Sequence, residues 1–178
     1  WKMNKVCIYI LLFSTFLNAQ NPKNQISLNA DDIIPALFSS NVSAYNLSYR
    51  RQIKESKHLR FGLKYFQEAE NELTLGIKPG LDIAFKTSKK WIFYYGLDLA
   101  LIYTDNYQSE RTYYEAAIIP FFRAEYVISE SFSISTEPGL FLKSLTIKDN
   151  DNSPIDNSNS VISSGIGDLG IININFSF

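Results

Sequence analysis

Charged side chains recur on one face of an alternating pattern through most of the chain, where the chemistry open to them is ion pairing. Basic and acidic groups nearly balance there, as they do in the whole chain, whose net charge is −1. The charged face carries Arg50, Arg60, Lys64, Lys78, Asp82, Lys86, Asp98, Glu115, Arg123, Glu125, Glu137 and Lys143. Charges enclosed together must pair, because an unpaired buried charge is costly. The pattern therefore predicts a structural ion-pair network.

A second interpretation of the same face remains open. Lys78, Asp82, Arg123 and Glu137 would line a narrow polar conduit or a small-ligand pocket. Glycines share the charged face and would leave room for a ligand between the long side chains. The near-neutral chain offers no basic field for nucleic acid.

Motifs for catalysis or metal binding are weak. The sequence holds no G-x-S-x-G elbow, no Cys/His cluster and no phosphate-binding loop. The run 149–153, DNDNS, matches the start of a calcium loop, but Pro154 occupies the place of the glycine and the twelfth place lacks Glu. We expect a solvated loop there, and we expect no catalytic residue, cofactor or metal ion.

The first twenty residues have the composition of an export signal. Lys2 and Lys5 precede an apolar run over 6–17, and Ala19 provides a small residue for cleavage. A membrane anchor is the alternative, but a spanning helix needs about 20 apolar residues. The only cysteine, Cys7, lies within this segment. We expect a signal peptide over 1–20 and an exported, disulfide-free domain over 21–178.

Beyond residue 20, apolar and polar residues alternate, which is the period of a β-strand. In 91–103 every odd position is aromatic or leucine, whereas the even positions include Tyr94, Gly96 and Asp98. The alternation predicts eight strands, over 25–37, 43–53, 58–67, 72–87, 90–104, 112–128, 131–147 and 164–178. An all-β fold follows.

The connections between these strands alternate in length. Tight turns at 54–57, 88–89 and 129–130 contrast with longer polar loops at 67–71, 105–111 and 148–163. This alternation predicts an up-and-down meander with both ends of the chain on the tight-turn side. Pro79, Pro120 and Pro138 fall inside strands, where each removes a ladder donor, so we expect local bulges or kinks.

The apolar face is too bulky to point inward. The interior of an eight-stranded barrel is only just wide enough for side chains to fill. Gly62, Gly76, Gly80 and Gly96 share the charged face, where a crowded interior needs small residues. An outward apolar face requires lipid, because soluble monomers rarely expose such large patches. A soluble lipocalin-like barrel, with the two faces reversed, is the alternative.

Aromatic residues near the strand ends agree with a lipid environment. The candidates for the interfacial girdles of a membrane barrel are Trp91, Tyr103, Tyr114, Tyr126, Phe132, Phe176 and Phe178. Ordinary β-propensity also enriches strands in aromatic residues and is the alternative explanation.

Taken together, the alternating strands, the tight turns opposite longer loops and an amphipathic last strand ending in Phe178 resemble a known family. These are the small outer-membrane β-barrels of Gram-negative bacteria, of the OmpA-barrel and OmpX type. The resemblance implies an eight-stranded antiparallel up-and-down transmembrane β-barrel. It also implies that the barrel-assembly machinery reads one face of the last strand, which carries Ile172, Ile174, Phe176 and Phe178.

The resemblance favours a non-enzymatic protein. Membrane-barrel deacylases and palmitoyltransferases of similar size need a His with a Ser partner near the outer rim, whereas the only histidine, His58, adjoins a tight turn. We therefore expect a monomeric outer-membrane barrel surrounded by lipid and lipopolysaccharide. Its role would be structural or would rely on surface interactions of the loops near Tyr107 and 149–159. A narrow channel or small-ligand carrier and a soluble carrier remain the alternatives.

Overall fold

The computed structural model describes residues 24–30, 42–68, 71–149, 158–167 and 172–178. The predicted signal peptide, the second part of the predicted first strand and most of the DNDNS motif lie outside these residues. Within the described part of the chain, no helix is long and apolar enough to cross a membrane.

Within the described residues, ten strand segments make up the sheet. They are β1 (Asn24–Asn29), β2 (Val42–Lys54), β3 (Lys57–Glu68), β4 (Glu72–Ser88), β5 (Trp91–Asn106), β6 (Arg111–Ser129), β7 (Phe132–Thr136), β8 (Leu140–Asp149), β9 (Ser158–Ile166) and β10 (Ile172–Ser177). The segments β7 and β8 follow each other along the same edge of β6, and β10 and β9 pair with them in the same way. The ten segments therefore form eight barrel strands.

The sheet closes on itself. Every pairing is antiparallel, and the order runs from β5 through β4, β3, β2, β1 and β10 to β7, β6, β8 and β9. A further pairing between β5 and β6 closes the ring. Asn24 and Phe178 exchange two backbone hydrogen bonds, of 2.9 and 3.1 Å, where β10 meets β1. The prediction of an all-β, eight-stranded antiparallel barrel is confirmed.

The two ends of the barrel differ in their connections. At one end, called here the tight-turn end, two-residue turns at 55–56, 89–90 and 130–131 join neighbouring strands. The longer connections lie at the opposite end, called the loop end. Asn24 and Phe178 lie at the tight-turn end, as the alternation of connection lengths predicts.

The proline prediction is confirmed in part. The barrel strand is interrupted at Pro138, between β7 and β8, and the β4–β5 ladder has a gap at Lys78 and Pro79, whereas Pro120 pairs with Leu97 in an unbroken ladder. The register shifts lie at 52/54, 84/86 and 127/129, so each tight hairpin carries one, because a bulge supplies the extra twist that such a hairpin needs. Pro79 keeps an unbroken ladder with β3. Pro120 and Pro138 lie where β7 gives way to β8, and β6 keeps one register with both.

The last barrel strand starts earlier than the sequence predicts. Residues 158–163, assigned above to a long loop, belong to β9 and pair with β8 in continuous register. This run, SNSVIS, lacks a periodic apolar face, so its strand conformation comes from ladder pairing rather than from side-chain alternation.

The two faces of the wall differ sharply in polarity. The side chains buried within the barrel are mainly polar, including Gln25, Arg50, Asp82, Arg123 and Asn175. The exposed large apolar side chains stand on the outer face of successive strands, and they include Phe61, Leu63, Leu75, Ile77, Leu81, Tyr95, Leu97, Leu99, Leu101, Ile118, Phe122, Leu140 and Leu142. Because successive side chains of a strand point to opposite faces, the alternating sequence places charged side chains inside the barrel and apolar side chains outside it.

Gly96 provides a test of how tightly the interior is packed. A Cβ atom built there would overlap the ring of Phe121 and the carbonyl oxygen of Leu81. We predict that Gly96→Ala lowers the free energy of unfolding by about 1–3 kcal/mol, as overpacking does. At the control position, Gly62, a Cβ would meet only the flexible Lys78 side chain, at 3.1 and 3.2 Å, and the Lys78 carbonyl oxygen at 3.5 Å. Urea titration of the refolded barrel measures both, and equal stabilities would contradict the prediction.

Candidate functional site in the barrel interior

Near the tight-turn end, Asp82 is the centre of a closed group of charges. Its side chain is 0% exposed, and Arg50 contacts it twice, with Nε–Oδ2 and Nη2–Oδ1 distances of 2.7 and 2.8 Å. His58 Nδ1 lies 2.9 Å from Asp82 Oδ1 because the two residues are direct partners in the β3–β4 ladder. A carboxylate held by several charge-assisted contacts is fixed in position.

A second group connects strands that are far apart in sequence. Arg123, which is 1% exposed, donates from Nη2 to Gln25 Oε1 at 2.8 Å and lies 3.0 Å from Glu125 Oε2. Gln25 Nε2 donates to Glu125 Oε1 at 2.8 Å. Ser133 also donates to that carboxylate, and Asn175 donates to Ser133. Strands β1, β6, β7 and β10 therefore meet through one polar cluster.

Arg60 joins these groups to the middle of the barrel. Its Nη2 lies 2.6 Å from Glu137 Oε2 and 3.6 Å from Asp98 Oδ2. Arg123 Nη1 reaches the other oxygen of Glu137 at 3.4 Å. Glu137 lies between β7 and β8, so the interruption of this barrel strand brings a carboxylate between two arginines.

Two aromatic rings lie inside this polar cluster. The guanidinium of Arg50 stacks 4.1 Å from the centre of the Tyr94 ring, and that of Arg60 stacks 4.1 Å from the Phe121 ring. Both rings are buried. Such cation–π contacts stabilise an arginine that has lost its water. The sequence analysis did not predict this role. Phe121 and Arg123 are two positions apart in β6, so their side chains must face the same side of the sheet, and this spacing could have indicated that Phe121 lies inside.

The loop-end half of the interior holds a cavity of about 250 Å³. Its polar lining includes Lys64, Lys78, Glu115 and Lys143, and its apolar lining includes Ala100, Ile102, Ala117, Ile119, Phe121 and Phe141. The side chains of Lys78 and Lys143 are 33% and 31% exposed. Because these residues face inward, their exposure means that solvent reaches the cavity.

The charges around this cavity pair more loosely than those below it. Lys143 Nζ lies 2.8 Å from Glu115 Oε2. Lys78 Nζ is 3.7 Å from Asp98 Oδ2, an oxygen that Arg60 also approaches. The interior therefore has two parts. We call the packed charges at the tight-turn end, which include Arg50, Asp82, Arg123 and Glu125, the polar floor, and we call the solvent-accessible cavity at the loop end the cup.

Most members of the predicted polar set face this interior, but Lys86 does not. The register shift at 84/86 pairs Lys86 with the outward-facing Phe93, so its exposed side chain stands on the outer face. The prediction for Lys86 was wrong because a bulge inserts one residue and reverses the parity that follows it.

The predicted girdle residues occupy both ends of the outer face. Trp91 and Tyr126 are cross-strand partners near the tight-turn end, with ring centres 5.0 Å apart. Phe176 pairs with Phe132 at the same end, with ring centres 5.5 Å apart. Tyr103 and Tyr114 are partners near the loop end, 5.6 Å apart. In β10, Ile174 and Phe176 pair with Leu28 and Ile26 of β1.

Comparison of the chain with protein-family models, with curated proteins and with solved structures finds no match. Among the described residues, no group of three or more His, Cys, Asp or Glu side chains is arranged to hold a metal ion. The interior is a set of fixed charges beside a small cavity that is accessible to solvent.

Arg123 and Lys143 allow a matched test of the polar floor. Removing Arg123 leaves Glu125 and Glu137 buried with fewer partners, so we predict that Arg123→Met lowers the free energy of unfolding by about 3–5 kcal/mol. Lys143→Met breaks a pair that water reaches and should cost less than about 1 kcal/mol. Urea titration under identical conditions compares the two variants. Equal losses would mean that the buried network is no more important than the exposed pair.

Proposed function

We propose that this chain is an integral outer-membrane barrel without enzymatic activity, and that it acts as a structural or surface-interaction protein. The single observation that carries the proposal is the polarity of the wall, with ion pairs inside and large apolar side chains outside. In water such a surface would drive association. In a bilayer it would be satisfied, and a closed barrel leaves no unpaired strand edge to the hydrocarbon.

The positions of the aromatic pairs support a bilayer of ordinary thickness. Trp91 and Tyr103 mark the two aromatic levels on the same strand, β5. At ~3.4 Å per residue and a strand tilt of ~40°, they are separated by about 30 Å along the barrel axis. That height matches the hydrocarbon core of a typical bilayer, which is also about 30 Å thick.

The proposal extends to the route and the partners of the protein. We propose that the segment 1–20 directs export and that the mature barrel belongs to the OmpA-barrel and OmpX type. Its partners would be outer-membrane lipid, lipopolysaccharide and the barrel-assembly machinery. The outward face of β10, with Ile172, Ile174 and Phe176, is the surface that the machinery would read. The closed ring of strands supports a monomer, because the described strands at the tight-turn end are paired on both sides and offer no edge there to a second copy.

The loop end is where an external partner would bind. Tyr107 is 48% exposed in the β5–β6 connection. The strand β8 ends at Asp149 at the same end, where the predicted 149–159 loop begins. His58 belongs to the packed charges of the tight-turn end, far from these loops: its Nδ1 lies 2.9 Å from Asp82 Oδ1 and 2.9 Å from Arg50 Nη2.

Membrane fractionation followed by gel electrophoresis tests the proposal. We predict that the protein stays with the membrane fraction, requires detergent for extraction and migrates differently when boiled, because a closed barrel resists detergent until it is heated. An outer-membrane barrel of known behaviour serves as the control. Recovery from the soluble fraction, with a single band of unchanged mobility, would contradict the proposal and favour a soluble lipocalin-like carrier.

The cavity of about 250 Å³ favours a second candidate, a small-ligand carrier or a narrow channel. The packed floor of Asp82, Arg50, Arg123 and Glu125 argues against the channel, because ions would have to displace bound partners. A ligand carrier needs only the cavity and no passage through this group of charges.

Planar-bilayer recording separates the channel from the plugged barrel. We predict no conductance steps from the reconstituted barrel, under conditions in which a general porin gives steps of its usual size. Reproducible steps from several independent preparations would overturn the plugged interior and favour the channel.

A further inference from the structure

The β4–β5 hairpin displays an unusual group of side chains on the outer face of the tight-turn end. The register shift at 84/86 directs two consecutive residues, Phe85 and Lys86, outward. Lys89 and Lys90 form the following turn, and Lys89 has a positive φ of 35°. The bulge and the turn therefore bring three ammonium groups to one short stretch of the rim.

An aromatic surface lies directly beside these lysines. Phe85 is 5.8 Å from Tyr95 and 6.0 Å from Phe122, and Trp91 stacks on Phe93 at 6.1 Å, all measured between ring centres. Lys90 Nζ lies 5.7 Å from the centre of the Tyr126 ring. Rings that contact each other across β4, β5 and β6 form one continuous platform, bordered by positive charge on the side of the turn. We call this surface the hairpin patch: Phe85, Lys86, Lys89, Lys90, Trp91, Phe93, Tyr95, Phe122 and Tyr126.

The charge of the described residues also differs between the two ends of the barrel. The exposed charged residues of the tight turns and the strand ends beside them are six bases and two acids: Arg51, Lys54, Lys57, Lys86, Lys89 and Lys90 against Glu55 and Glu130. At the loop end the exposed charged residues of the described strand ends and turns are two bases and one acid, Arg111 and Lys148 against Glu110, and Glu68, Glu72 and Asp105 are half-buried beside them. An anionic partner is therefore favoured at the tight-turn end.

We propose that the hairpin patch binds the headgroup of an anionic phospholipid, with the acyl chains lying on the aromatic platform. This inference rests on the proposed membrane function and deepens it. The ammonium groups of Lys86, Lys89 and Lys90 would bind the phosphate through charge-assisted hydrogen bonds, which ammonium groups form well. Trp91 and Tyr126 would lie at the level of the headgroups, where amphipathic rings are stable.

A basic rim alone does not make this site. The β2–β3 hairpin carries Arg51, Lys54 and Lys57, but it also carries Glu55, and its nearest exposed outward neighbours, Ile53 and Leu59, are aliphatic. Its exposed aromatic surface is the single cross-strand pair of Tyr49 and Phe61, further from the turn. The hairpin therefore offers comparable positive charge with a much smaller aromatic surface, which makes it a matched control.

Trp91 makes the test specific to the patch. The chain has two tryptophans, and a barrel of residues 21–178, without the proposed signal peptide, retains only Trp91. The barrel is reconstituted in mixtures of phosphatidylcholine and phosphatidylglycerol, with either lipid brominated in its acyl chains, and quenching of Trp91 fluorescence reports which lipid occupies the patch. We expect the wild-type patch to prefer phosphatidylglycerol by roughly tenfold or more, and 0.5 M salt to reduce this preference.

Two triple variants then distinguish the patch from general surface charge. K86Q/K89Q/K90Q should abolish the preference, whereas R51Q/K54Q/K57Q should retain it. Boiled and unboiled gel mobility checks that each variant is folded. Equal quenching by both lipids in a folded, inserted wild-type barrel, or equal loss in both variants, would overturn the lipid site and leave the proposed membrane function standing. A barrel that neither lipid quenches would overturn both.

Discussion

The ion pairs inside the barrel are the interaction on which the rest of the structure depends. They connect strands that are far apart in the chain: Gln25 contacts Glu125, and Arg60 contacts Glu137. Because each charge has lost its water, it requires the partner that another strand supplies. The network therefore favours one closed arrangement of the wall over open or slipped ones, in which buried charges would be left unpaired.

Inward charge has a direct consequence for the outer face. Strand side chains alternate, so each inward Arg, Asp or Glu is flanked by outward neighbours, and these are mostly apolar: Leu59 and Phe61 flank Arg60, and Leu97 and Leu99 flank Asp98. The same parity that builds the ion-pair network builds the hydrocarbon surface. The proposed bilayer environment and the proposed interior plug are thus two consequences of one pattern.

The interior is not uniform along its axis. At the tight-turn end, Arg50, Arg123 and Tyr94 fill the space between the strands, whereas at the loop end Gly62, Gly76 and Ala100 leave a cup that water enters. The filled half is the more tightly packed one, and the open half faces the longer connections, where the proposed partner would bind. Charge varies in the same direction, with bases concentrated around the tight turns.

By itself the sequence determined the strands, their number, the alternation of tight turns with longer loops, and the polarity of the two faces. These are local properties, because side-chain alternation depends only on neighbouring residues. The tertiary structure decided what depends on register and closure. A bulge at 84/86 sent Lys86 outward, ladder pairing made 158–163 a strand, and ring closure selected Glu137 as the partner of Arg60. A shift of one residue reverses every later side chain, and partners 77 positions apart leave no mark in any short window of sequence.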